Sequence, residues 1–161
     1  MIIVSDTGPL AYLVEIGIVD CLPTLYGDVY IPPTVFAELG HPKSPASAWT
    51  SHPPEWLIVM APQTPYGDRA LDLGEREAIA LALELGADRV LMDETRGRTA
   101  ARACGLQVAG TLAVIVDAAS RAAIDGHAAL DRLSETNFYA TPELLSAVRS
   151  LLSSSARPDT R

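Results

Sequence analysis

Five short runs of β-branched or apolar residues, Ile2 to Val4, Val29 to Ile31, Trp56 to Met60, Val90 to Met92 and Leu106 to Ala109, are separated by stretches with helical apolar spacing. Strands joined through helices run parallel and are covered on both faces, so this alternation predicts βαβ units around a central parallel sheet, an α/β fold. The clearest helix lies in GEREAIALALELGAD, where Ala78, Ile79, Ala82 and Leu83 share a face and Gly86 closes it. Further helices are predicted from Thr95 to Cys104, ending at Gly105, and from Thr111 to Ile124, ended by Gly126. PPTVFAELG opens on prolines suited to a helix N-terminus and stops at Gly40, and another helix begins near Pro9.

A chain of 161 residues, 48% hydrophobic and 20% charged, is long enough for one core. Residues 1–150 are expected to form one domain and residues 151–161 a flexible C-terminal tail. The Pro- and Ser-rich segment HPKSPASAWTSHPP reads as a surface excursion without a domain boundary. No apolar stretch is long enough to span a bilayer, and Asp6 interrupts the N-terminus before a signal-type apolar region, so a cytoplasmic location without a membrane is expected. Cys21 and Cys104 lie far apart and read as small core residues, not as a zinc site or disulfide. The net charge of −8 excludes a protein that coats nucleic acid through clustered cations, yet leaves room for an enzyme whose acids hold metal ions.

Acids gather where such a fold places ligands, outside the carboxyl ends of the strands. Asp6 follows the first strand, Asp93 and Glu94 follow the fourth, Glu75 opens a helix after Gly74, and Glu38 stands late in the PTVFAEL helix. Each has a local explanation: Asp6, Asp93 and Glu94 as helix caps, Glu75 as a favourable partner of a helix dipole, Glu38 as a solvated face. Taken together, carboxylates crowded on one edge repel unless a cation neutralises them, and oxygen donors without His or Cys suit Mg²⁺ or Mn²⁺. Arg96, Arg98 and Arg102 come next in MDETRGRTAARA. Arg98 and Arg102 share a helix face. Arg98 and Arg96 are candidates for holding substrate phosphate, the alternative being surface pairing with nearby acids.

In their order, DTGPL, YIPPTVFAEL, GEREAIALALELGADRVLMDE and RTAARACGLQVAGTLAVIVDA resemble the PIN-domain family, in particular the branch similar to VapC toxins. The resemblance covers Met1 to Arg149. It implies a three-layer α/β/α sandwich and a metal-dependent endoribonuclease that hydrolyses RNA as the toxin of a toxin–antitoxin pair. Carried onto this chain, it makes Asp6, Glu38, Glu75 and Asp93 the catalytic acids, with Asp6, Glu75 and Asp93 as ligands of Mg²⁺ or Mn²⁺. Thr7 and Glu94 become auxiliary groups, and Glu75 is preferred to Glu77. It also implies an antitoxin protein and a homodimer as partners. The loop from His41 to Trp56 is longer than the family pattern leads one to expect.

Other sites built at strand ends fit less well. A receiver domain needs a late-strand lysine, but LQVAGT has none and Lys43 is the only lysine in the chain. A haloacid-dehalogenase-type phosphatase needs D-x-D, and here glycine stands in place of the second acid. Neither a dinucleotide fingerprint, nor a P-loop, nor a G-x-S-x-G elbow is present, and His41, His52 and His127 fall outside any motif. The alternative to an enzyme is a PIN-like binding or regulatory module with little turnover, or one that engages a partner through apolar C-terminal helices around Leu130 to Leu152.

Overall fold

The computed structural model describes residues 1–64 and 66–155. Its strands are β1 (Ile3–Ser5), β2 (Val29–Ile31), β3 (Leu57–Val59), β4 (Arg89–Leu91) and β5 (Val108–Ala109). The helices are α1 (Thr7–Glu15), α2 (Cys21–Tyr26), α3 (Pro33–Leu39), α4 (Leu73–Leu85), α5 (Thr95–Ala103), α6 (Thr111–Ser120), α7 (Gly126–Ser134) and α8 (Pro142–Ser155). The five strands form one all-parallel sheet in the order β3-β2-β1-β4-β5. The chain lays three strands to one side of the centre and then returns to lay two on the other. The β1–β4 pair is therefore the topological switch point, where open parallel sheets form their ligand crevice.

Strand side chains alternate between the two faces and divide the core. Ile3, Val29, Ile31, Leu91 and Ala109 pack beneath α1, α2, α3, α6, α7 and α8. Val4, Val90 and Met92, with Tyr30 and Val108 alongside, pack beneath α4 and α5. The result is the expected α/β/α layering, thicker on the first face. Gly86, at φ 59°, ends α4 in the left-handed conformation that glycine adopts without penalty.

Several local expectations are corrected. The helix starting at Thr111 ends at Ser120, after which the chain turns through Ala122 at φ 55°. Gly126 begins α7 instead of ending α6, because the Asp125 carboxylate accepts from the Ala128 N–H and caps a new helix. A Cβ at Gly126 would lie 2.5 Å from Leu152 Cδ2 and 2.8 Å from Ala119 Cβ, so helix crossing, not a C-cap, explains the glycine. The first helix starts at Thr7, with Pro9 inside its first turn, where a missing N–H costs nothing.

The 41–56 excursion is tied down. Ala46 is fully buried, and Trp49 and Trp56 pack on the core with ring centroids 6.0 Å apart. Leu130, Leu133, Val148 and Leu152 are buried within this chain, so most of the C-terminal apolar surface is already covered. Helix α8 runs to Ser155, past the start of the expected tail, and residues 156–161 lie outside the described residues. Cys21 is buried and Cys104 half-buried, both free. No helix among the described residues is long and apolar enough to cross a membrane.

Candidate active site

The switch point brings the first and fourth strand ends side by side. Ser5 registers with Leu91, and the Asp6 N–H donates to the Leu91 carbonyl at 2.9 Å, extending the ladder by one residue. Asp6 then turns directly into α1. It occupies the N-cap position yet makes no side-chain capping bond, and only 6% of it is exposed. Capping therefore does not account for this acid. Burial is the main force pushing its carboxyl up to about 7. The Thr7 N–H opposes this, and the charges of Asp72, Glu38 and Asp93 add to it.

Asp93 does cap a helix, but not the adjacent one. Its Oδ1 accepts from the Thr111 N–H at 2.8 Å and its Oδ2 from the Thr111 hydroxyl at 2.7 Å, which fastens the end of β4 to the start of α6. Burial raises the Asp93 carboxyl, against the two Thr111 bonds and the nearby Arg98 charge. Glu94 is the exposed N-cap residue of α5 and makes no side-chain capping bond.

Glu75 lies in the first turn of α4, whose N-cap is Asp72. The Asp72 carboxylate accepts from the Glu75 N–H at 2.8 Å. The Glu75 side chain is 7% exposed, and its buried Oε2 has no hydrogen-bond partner. Burial chiefly lifts this carboxyl to about 8, helped by a hydrogen bond shared with the Asp72 carboxyl and by the charges of Asp72, Asp6 and Glu94. Glu77, the other acid of the motif, borders a separate small cavity with Tyr66, Leu73 and Arg76. Glu38 is exposed on α3, and its Oε2 accepts from the Thr7 hydroxyl. That contact ties the α3 acid to the residue after Asp6.

Glycines let these acids approach. A Cβ at Gly74 would lie 2.8 Å from Glu38 Oε1, one at Gly97 2.7 Å from Glu75 Oε2, and one at Gly110 2.8 Å from Asp93 Oδ1 and 2.9 Å from Arg98 Nη1. Arg98 thus stands beside Asp93. Arg96 is exposed and outside the groove that opens next to Asp93 and Glu94, whereas Arg98 and Arg102 line that groove together. Sequence reasoning passed over Asp72, Thr111, Gly97 and Gly110. Only Asp72 carried a signal, an N-cap acid three residues before Glu75.

Among the described residues, no group of three His, Cys, Asp or Glu side chains is drawn together tightly enough to hold a metal ion. The donor set nevertheless suits a hard divalent cation. It is all oxygen, and it includes a buried carboxylate oxygen without a partner, flanked by acids whose charges lift its pKa. Strongly perturbed carboxyls converging on a crevice are a recognised mark of functional sites. Thr111 fixes the Asp93 carboxylate in that set. Thr111→Val keeps the helix start but removes one of the two bonds, and calorimetric titration is expected to show Mn²⁺ affinity falling by about tenfold. Unchanged affinity would show that Asp93 needs no such anchor.

A family model described as a PIN domain, DUF3368, matches residues 2–154. No curated protein and no solved structure matches the chain. The match spans nearly the whole chain and agrees with the all-parallel sheet and its acidic switch point: the chain belongs to the PIN-domain family, a family of nuclease type.

Proposed function

We propose that this protein is a Mg²⁺- or Mn²⁺-dependent endoribonuclease that hydrolyses RNA phosphodiester bonds, acting as the toxin of a VapC-like toxin–antitoxin pair. The observation that carries the reading is the Glu75 carboxylate, held buried with an unpartnered oxygen beside Asp72 and Asp6. Glu77 Oε2 is also buried without a partner but stands apart at another cavity, whereas Glu75 is buried among Asp72, Asp6 and Glu94, and crowding like charges out of water costs free energy that a cation would offset. The order of the DTGPL, FAEL, GEREAI and LMDE motifs supports the VapC-like assignment.

Asp6, Asp93 and Glu75 would hold the cation, which would supply a more acidic bound water and charge stabilisation at the phosphate and leaving oxygen. Thr7 fixes Glu38 through its hydroxyl, and Glu38 orients the attacking water and takes its proton. Arg98, beside Asp93 at the mouth of the groove, binds a nonbridging phosphate oxygen as the water adds to phosphorus and the P–O bond to the leaving group breaks. Glu94 adds negative charge at the rim. An antitoxin and a second copy of this chain are the protein partners in this reading.

The test is calorimetric titration of Mn²⁺ into the wild type, Asp6→Asn and Asp93→Asn, followed by incubation of each with RNA. Saturable binding, weakened at least about tenfold by each substitution, together with Mn²⁺-dependent cleavage that the substitutions abolish, is the expected result. One observation favours a second reading, a PIN-fold binding module without turnover: no three acids are drawn together among the described residues. RNA retention without cleavage at saturating Mn²⁺ would select it.

A further inference from the structure

The groove beside the acids, about 750 Å³ in volume, extends well beyond them. Its lining includes Asp93 and Glu94, Arg98 and Arg102 of α5, Asp117 and apolar residues of β5 and α6, and the α7–α8 connection with α8. We propose that this groove is a subsite for unpaired RNA that continues from the scissile phosphate held by Arg98, with a base stacked on Tyr139 and a further backbone phosphate on Arg102. The inference rests on the nuclease reading above and adds to it a specificity-determining aromatic.

The charges fit the occupant. Arg98 and Arg102 are separated by one helical turn, a rise of about 6 Å along α5. Among the described residues the only ion pairs are Arg89–Asp117 and Arg149–Asp131; Arg98 feels the Asp93 charge without pairing to it, and Arg102 makes no carboxylate contact. Because Asp93 and Glu94 belong both to the groove and to the acidic site, a strand whose phosphate lies at the acids continues along this wall.

The aromatic is presented by a fixed loop. Tyr139 is 85% exposed, yet the residues before it are held. Phe138 packs edge-on against Tyr12 with ring centroids 5.1 Å apart. The Asn137 Oδ1 accepts from the Tyr12 hydroxyl at 2.9 Å, and the Phe138 N–H donates to the Thr136 hydroxyl oxygen at 3.1 Å. Phe138, half-buried against Tyr12, is thereby held, and Tyr139 stands beside it in the groove. An exposed ring on a braced loop, lining the same groove as two arginines, is how proteins bind unstacked bases; bases within a duplex offer no free face. The Asn137 carbonyl oxygen is engaged by Tyr12, so its amide N–H groups remain to donate to a base edge.

The test is fluorescence anisotropy of a labelled, unstructured mixed-sequence RNA in metal-free buffer, which reads binding without cleavage. Tyr139→Ala is expected to weaken binding about tenfold and Tyr139→Phe to restore it, since stacking needs the ring and not the hydroxyl. With two phosphates neutralised, the logarithm of affinity is expected to fall against the logarithm of salt with a slope of about −1.4, reduced to about −0.7 in Arg102→Ala. Thermal melting of each variant checks that the fold is intact. Wild type that does not retain this RNA, or binding indifferent to Tyr139 and Arg102, overturns the subsite and leaves the groove to another occupant, such as an amphipathic helix of a protein partner. Mn²⁺-dependent cleavage of the same RNA is scored separately. Cleavage that ignores Tyr139 sinks the subsite alone, while Tyr139-dependent binding without any cleavage keeps the subsite and sinks the nuclease.

Discussion

Metal-free protein is expected to lose on the order of 4 kcal/mol of stability as the pH rises from about 4 to about 7, because Asp6 must then ionise inside the fold. An unfolded chain releases this proton near the ordinary value of 3.8, whereas the folded chain holds it until about 7. Between those values the native state binds more protons than the unfolded state, and stability therefore falls with rising pH. Glu75 acts with the same sign and carries the window to about 8. Urea unfolding in chelator across this range reads the effect. Asp6→Asn removes one of these raised ionisations and leaves those of Glu75 and Asp93, so the variant is expected to be flatter with pH and more stable than wild type near pH 8. Asparagine loses no capping bond there, because the Asp6 side chain makes none. Mn²⁺ at about a hundred times its dissociation constant should return about 2.7 kcal/mol to the wild type and far less to the variant. A level wild-type profile from pH 4 to 8 would mean that Asp6 and Glu75 are hydrated as ordinary surface acids, and the electrostatic case for a metal site would fail. The expected pattern is a trade of stability for function: the substitution that ruins the site relaxes the fold.

How far the sequence disclosed this site depends on whether its parts are fixed locally or by tertiary contact. The five strands are legible because apolar runs separated by helical spacing define a parallel sheet, and Asp6 and Asp93 are legible because they end such runs. Periodicity does not encode strand order, so the pairing of β1 with β4, which brings the two acids together, emerges only in the fold. Capping partners are likewise tertiary. Neighbours in sequence suggest that Asp93 caps α5, but its hydrogen bonds go to Thr111, at the start of the helix after the next strand. The four-residue spacing already puts Arg98 and Arg102 on one face, and the fold shows that this face, not that of Arg96, lines the groove. Gly126 had the form of a helix stop and is instead a crossing point against Leu152. Tyr139 gave no signal, because its significance depends on Phe138 packing edge-on against Tyr12.

Gly97→Ala is the substitution where local and tertiary logic conflict most sharply. Replacing a helical glycine by alanine ordinarily stabilises by up to about 1 kcal/mol. At Gly97, in the first turn of α5, the new Cβ would lie 2.5 Å from Met92 Sδ and 2.7 Å from Glu75 Oε2. Both are side-chain atoms that must move, and Met92, fully buried beneath α4 and α5, moves at greater cost than the Glu75 carboxylate. Overpacking of this kind costs about 1–3 kcal/mol and outweighs the helical gain. The cheapest relief is displacement of the Glu75 carboxylate, so Mn²⁺ affinity is expected to fall by about 10- to 100-fold, and cleavage with it. Gly8→Ala is the matched control. It also lies in a first helical turn at the site, but its Cβ would meet Asp93 Oδ2 at an ordinary 3.5 Å, so stability should hold or rise and Mn²⁺ affinity should stay near wild type. Chemical denaturation and calorimetry on the pair separate the two effects. If Gly97→Ala proves as harmless as Gly8→Ala, α5 has slack against α4 and does not fix the Glu75 carboxylate. If only Gly97→Ala loses metal, the absence of a side chain on α5 is what allows a buried acid to stand at the switch point.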